Sequence, residues 1–180
     1  PNRCQLIQIE GDDNFIGGSM FNIGDYAVCP GHGVGQVVDI EERELGGTTT
    51  KFYIVKVMAN GMKVMVPINS EDGIRALVSE QEVEGVFGLL KDHDVDVDNS
   101  TWNRRYREYM LKLKTGSLFE IAEVLRALFL LKEKKNLSFG EKKMLDQCKD
   151  LIAQEISITG GVETSMVIQD IESCFSHTAQ

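Results

Sequence analysis

Trp102 is the only tryptophan in this 180-residue chain, and it opens its most chemically loaded stretch. Thr101-Trp102-Asn103-Arg104-Arg105-Tyr106-Arg107, continued by Lys112 and Lys114, joins one large aromatic to a run of cations. At about 100° per residue, Tyr106, Tyr109, Met110 and Leu113 fall on the side of Trp102. Arg104, Arg107 and Lys114 fall opposite, with Arg105 and Lys112 on a flank. Such a helix supports two chemistries. Either Trp102 is the first knob of a core stripe behind a solvated cationic face, or it stacks on a base or wedges into a base step while the arginines hold phosphates. The helix alone fits both.

Other chemistry finds little support. The carboxylates follow helix faces and caps, the three histidines have no paired nucleophile, and no Gly-x-Ser-x-Gly elbow occurs. Gly31-His32-Gly33-Val34-Gly35 is not followed by Gly-Lys-Ser/Thr or by a helix, so it reads as a tight turn and a bulge, with His32 structural. Cys29-Pro30-Gly31-His32 offers two metal ligands and nothing supplies the others. Cys4, Cys29, Cys148 and Cys174 lack disulfide or metal spacing. The chain is therefore read as a non-enzyme with no cofactor, no metal and no small-molecule substrate. With no signal peptide and no apolar run of about 18 residues, the expected compartment is the cytoplasm and no membrane partner is implied.

Charge narrows the choice. The net charge of −9 argues against a general nucleic-acid coater. Yet Arg104 to Lys149 holds 12 Lys/Arg against 6 Asp/Glu, a net of +6, while the remainder carries −15. Such blocks mean different partners for different faces.

The elements that must position these residues form two halves. Residues 1–19 read as a leader, non-native or disordered. Residues 20–72 read as β structure: Asp25–Cys29, Gly33–Ile40 extending through Arg43, Lys51–Val57 and Lys63–Pro67, with Asn60-Gly61 a type I′ hairpin signal. About five short strands with tight turns suggest a small SH3- or Tudor-like barrel. Residues 73–180 read as helical, with the role of the tail after about 160 open. Asn99 or Ser100 caps the Trp102 helix, which Gly116 stops. Ser79 with Glu82, Ser117 with Glu120, and Ser138 with Glu141 each predict a capping box. Ile121, Val124, Leu125, Leu128 and Leu131 face a core. Lys142 and Lys143 lie in a helical first turn, where the dipole disfavours cations; an anionic partner or plain exposure accounts for them equally. Val162 to Phe175 forms a last amphipathic stretch. The fold class is α+β: a small barrel, then an all-helical domain.

Met20-Phe21-Asn22-Ile23-Gly24-Asp25 followed by Tyr26 to Gly33 resembles the RNA-polymerase-interacting module of the bacterial CarD/CdnL family. Trp102-Asn103-Arg104-Arg105-Tyr106, then Ile121 to Leu128, then Leu137 to Leu145, are similar to that family's C-terminal domain in order and spacing. The likeness spans about Met20 to Ile158, and no helicase motif accompanies it. It implies a global transcription regulator whose barrel docks on the lobe of the polymerase β subunit by strand pairing at an edge, with Arg43, Val55, Met65 and Pro67 matching that surface. Met65 stands where relatives carry arginine. It further implies that the helical domain meets promoter DNA at the upstream edge of the bubble during initiation, stabilising the open complex. There Trp102 would wedge into the minor groove with weak sequence preference, and Arg104, Arg107 and Lys142 would hold the backbone, with Arg105 and Lys143 structural or supporting. The alternative is a polymerase-binding adaptor whose helical domain meets another protein.

Overall fold

Glycines that supply positive φ cut the N-terminal half into a meander. The computed structural model describes residues 21–70, 73–96, 98 and 100–176, so the leader reading of residues 1–19 lies outside the described residues. β1 (Tyr26–Cys29) turns into β2 (Gly33–Leu45), Gly46 and Gly47 (φ 60° and 83°) reverse the chain into β3 (Thr48–Val57), and β4 (Lys63–Pro67) completes the sheet. Every pairing is antiparallel, in the order β1-β2-β3-β4. The result is a curled, Tudor-like half-barrel of four strands rather than about five. The expected type I′ hairpin is absent too. That turn needs φ > 0 at both central residues, and of Asn60 and Gly61 only the glycine has it. Residues 58–62 instead form a five-residue loop, in which the Gly61 amide donates to the Val57 carbonyl and the Val57 amide to that of Met62, each at 2.8 Å.

One irregularity decides which side chains face out. Val37 pairs with Val55, but the next pair is Asp39 with Ile54, leaving Val38 unpaired in a β-bulge. Because side chains alternate with period two, one extra residue flips the rest of the strand to the other face. Val37 and Val55 therefore point into a core with Phe21, Ala27, Cys29 and Tyr53. Asp39, Glu41 and Arg43 point the opposite way, in register with Ile54, Phe52 and Thr50.

Residues 73–79, expected to begin the helical half, stay extended: Val28 and Arg75 exchange backbone hydrogen bonds of 2.8 and 3.0 Å, covering the β1 edge. α1 (Glu80–Lys91) opens at a complete Ser79/Glu82 capping box. α2 (Trp102–Thr115) starts after Thr101, which makes no side-chain cap; the Ser100 hydroxyl donates instead to Asp98, and Asn99 lies outside the described residues. Gly116 ends α2 at φ 70°. α3 (Leu118–Lys134) has only half of its expected box, because the Thr115 hydroxyl takes the Glu120 carboxylate that would have reached back. α4 (Phe139–Gly160) has a complete Ser138/Glu141 box, and α5 (Thr164–Ser173) packs Val167 and Ile171 into the helical core. Ile121, Val124, Leu125, Leu128 and Leu131 are all buried there, as their spacing predicts.

The two halves meet through a charged hub and two glycines. Arg75 holds both oxygens of the buried Glu155 carboxylate on α4 (2.7 and 2.9 Å) and donates to the Gly116 carbonyl. The Val78 amide donates to the same carboxylate at 3.0 Å, so the buried charge is fully partnered. A Cβ on Gly33 would lie 2.9 Å from Leu151, and one on Gly116 3.1 Å from the Pro30 backbone. Both glycines also take a left-handed backbone, φ 86° and 70°, which favours glycine at these approaches.

Candidate nucleic-acid interface and docking face

The first turns of α2 and α4 build one surface around Trp102. Its indole is partly buried, resting on the backbone of Gly140: a Cβ there would meet the ring at 3.0–3.2 Å. Tyr106 flanks it with ring centroids 5.4 Å apart, and the Arg105 guanidinium lies 5.8 Å from the ring centroid. An indole braced on three sides loses little further freedom on meeting a partner, which favours binding.

Arg105 is buried, not displayed. Its Nη2 donates to Glu141 Oε1 at 2.6 Å and its Nε to the Ser100 carbonyl at 3.2 Å. Glu141 is also buried, and it serves two elements at once. One oxygen accepts from Arg105 and from Lys135 Nζ (3.1 Å), while the other accepts the Ser138 amide at 2.8 Å, closing the capping box. Burial alone would raise this carboxyl, but the Ser138 amide, Arg105 and Lys135 outweigh it and hold the group at about 2. Arg105 thus fastens α2 to α4 beneath the indole, and its guanidinium is withdrawn from any phosphate. The capping box was legible in the sequence; that its glutamate also neutralises an arginine 36 positions away was not.

The remaining cations face outward. Arg104 is exposed, and its one ion pair among the described residues is with Glu108, at 3.6 Å. Arg107, Lys142 and Lys143 are exposed and in no ion pair among the described residues. Lys112, by contrast, is paired with Glu123. On α2, Arg104 and Arg107 project from the side away from the indole, and on α4 Lys142 and Lys143 follow Gly140 by two and three positions. The opening turns of the two helices thus carry outward positive charge around this surface.

The sheet carries a second face. Met65 and Pro67 lie in register with Ile54 and Phe52, on the side to which the bulge turns Asp39, Glu41 and Arg43. Arg43, which bonds Glu41 at 2.9 Å, thus shares one face with Met65 and Pro67. Val55 does not. It is 0% exposed in the opposite layer, so its expected place on this surface is corrected: it is a core residue. Phe52 and Ile54 fill the space between the other three, a role that strand alternation signals once the bulge is known. β4 has a neighbour on one side only among the described residues, so its outer backbone edge is open.

Comparison with known proteins follows the same division. Residues 21–78 match the CarD-like/TRCF RID domain, and residues 85–172 match the C-terminal domain of CarD. A Bacillus subtilis (strain 168) protein described as "Putative transcription factor YdeB" is 31% identical over 150 residues, covering 82% of this chain and 97% of its own length. The chain belongs to the CarD family. A solved structure, "CdnLNt from Myxoccoccus xanthus", is 40% identical, covering 37% of this chain and 97% of its own, with a TM-score of 0.30. CarD-family membership makes this a transcription regulator of the RNA-polymerase-interacting type. Among the described residues no three His, Cys, Asp or Glu side chains gather where they would hold a metal ion, and no helix is long and apolar enough to cross a membrane.

Proposed function

We propose that this chain grips the lobe of the RNA polymerase β subunit with its sheet and stabilises the open promoter complex with its helical domain. The docking face is Arg43, Met65 and Pro67, with the free edge of β4 offered for strand addition. The DNA face is Trp102, entering the minor groove at the upstream edge of the bubble, with Arg104, Arg107, Lys142 and Lys143 on phosphates. Arg105 positions the wedge from below.

The observation that carries this reading is the partly exposed indole held on Gly140 where the opening turns of α2 and α4 meet. Those turns also display Arg104, Arg107, Lys142 and Lys143, the last three in no ion pair among the described residues. The indole packs on the helical core along one side, and its remaining surface together with the outward cations suits a wedge between phosphates. Four cations give weak, salt-sensitive affinity for free DNA. Tethering to polymerase raises the effective DNA concentration, and contacts made only to distorted duplex bias closed toward open states by their differential affinity. The Arg75–Glu155 hub and the close glycines support transmission of a fixed geometry from dock to wedge.

Trp102→Ala tests the reading. It should shorten open-complex lifetime toward that of polymerase alone while leaving capture of the β lobe intact. An unchanged lifetime removes the wedge. Absence of crosslinking from position 102 to promoter DNA, with polymerase binding retained, favours the adaptor reading instead.

A further inference from the structure

The acidic residues of the helical half gather on elements other than α2. Residues 80–98 hold seven Asp/Glu and one Lys, and after Lys149 come five Asp/Glu and no Lys or Arg. These stretches include α1 and α5, and between the two helices runs a groove of about 460 Å³. Its floor is apolar: Val83 and Phe87 of α1 lie half-buried against the helical core, and the buried Cys174 closes the α5 side. Its walls are charged. Glu84 on α1 and Asp170 on α5 line it, both exposed and in no ion pair among the described residues. Lys91 sits in the last turn of α1, where the helix dipole favours a cation. α1 also carries two interior glycines, each unfavourable in a helix. Gly85 has a reason within the fold, since a Cβ there would meet the Phe119 ring at 3.1–3.2 Å. Gly88 has none: a Cβ there would meet nothing within 4 Å, and the missing side chain leaves the groove open.

We propose that the α1–α5 groove docks a cationic amphipathic segment of another protein, its apolar side chains on Val83 and Phe87 and its Lys or Arg side chains on Glu84 and Asp170. Charge complementarity selects the occupant. Nucleic acid and anionic lipid are repelled by these carboxylates. A neutral apolar segment would cover the floor but desolvate Glu84 and Asp170 without a partner. A second copy of this chain would have to bring its cationic α2 face, which the DNA reading commits to phosphates. The groove uses α1 and α5, so filling it leaves Trp102 and the sheet free, and a further protein can be held while the chain is engaged elsewhere. The inference does not depend on the wedge.

The test titrates the full chain into fluorescein-labelled peptides of about 14 residues and reads anisotropy. One peptide has leucines at i, i+3, i+4 and i+7 with lysines between them; a second scrambles the same composition; a third carries glutamate in place of lysine. The first should bind roughly tenfold tighter than the scrambled peptide, and the glutamate peptide should not bind. Gly88→Arg and Gly88→Gln both fill the groove from its open side and should each weaken binding roughly tenfold. Their melting temperatures should be unchanged or raised, since a glycine leaves a helix interior. Glu84→Gln combined with Asp170→Asn should weaken binding about fivefold at low salt and less at high salt. Equal binding of the scrambled peptide, or full binding by Gly88→Gln, means unselective charge attraction and overturns the proposal. If the parent chain self-associates in sedimentation and Gly88→Arg abolishes this, a second copy fills the groove and the proposal is likewise overturned. The assay involves neither polymerase nor DNA, so its failure leaves the wedge reading standing.

Discussion

Replacing Glu141 with glutamine deletes a buried charge while keeping its shape and its cap, since glutamine also completes a capping box. The carboxyl is held at about 2 against an ordinary 4.5. That difference of 2.5 units corresponds to about 3 kcal/mol favouring the charged form in the folded protein. The folded-state value is depressed, so this stability is fully present above pH 4.5 and drains away as pH falls toward 2. Glutamine mimics the protonated acid. The variant should therefore be about 3 kcal/mol less stable than the parent at pH 7, in keeping with the cost of stranding one member of a buried pair. By pH 3 the gap should narrow to about 1 kcal/mol, because the parent has by then lost most of the same contribution. Urea unfolding at both pH values, followed by the emission of the single tryptophan, reads both quantities. The folded variant should also show altered emission, since the Arg105 guanidinium no longer has a fixed place beside the ring. A loss below about 1 kcal/mol at pH 7, or a gap that stays constant with acid, would refute Glu141 as the ionic clamp under Trp102.

Other expectations follow from the same geometry. Arg75→Met strands the Glu155 carboxylate and should cost about 3–5 kcal/mol, separating sheet and helical unfolding in calorimetry; Arg75→Met with Glu155→Met should restore much of it, and no recovery would mean that the pair does more than neutralise itself. Gly161→Ala should cost about 1–2 kcal/mol for its left-handed backbone alone, since a Cβ there meets nothing within 4 Å. Gly116→Ala adds contact with Pro30 and should cost more; equal losses in thermal melts would deny that contact any weight. For binding to forked DNA, four phosphate contacts predict a log–log salt slope of about −3 to −4, reduced by about 1 in Lys142→Ala. A slope unchanged in that variant would take Lys142 off the backbone.

The local devices of this protein were legible in its sequence because their partners are three or four residues apart. The boxes at Ser79/Glu82 and Ser138/Glu141, the Gly116 stop and the buried stripe of α3 each depend on one turn of helix or one periodicity. The half-box at Ser117 shows the limit even there: a competing hydroxyl two residues upstream, Thr115, claims the glutamate.

What the sequence could not decide, it could not because the deciding contacts are distant or shift the count. One unpaired residue, Val38, determines that Arg43 shares a face with Met65 rather than with Val55, and no propensity marks where a bulge falls. Periodicity sets Arg105 on a flank, apart from Arg104 and Arg107, but only α4, by bringing Glu141 beneath it, makes it the buried clamp. Residue types thus determined that this chain carries an aromatic and cations able to meet nucleic acid. Only tertiary packing, through Gly140 under the indole and a carboxylate inside the fold, sorted the cations that hold the protein together from those free to hold something else.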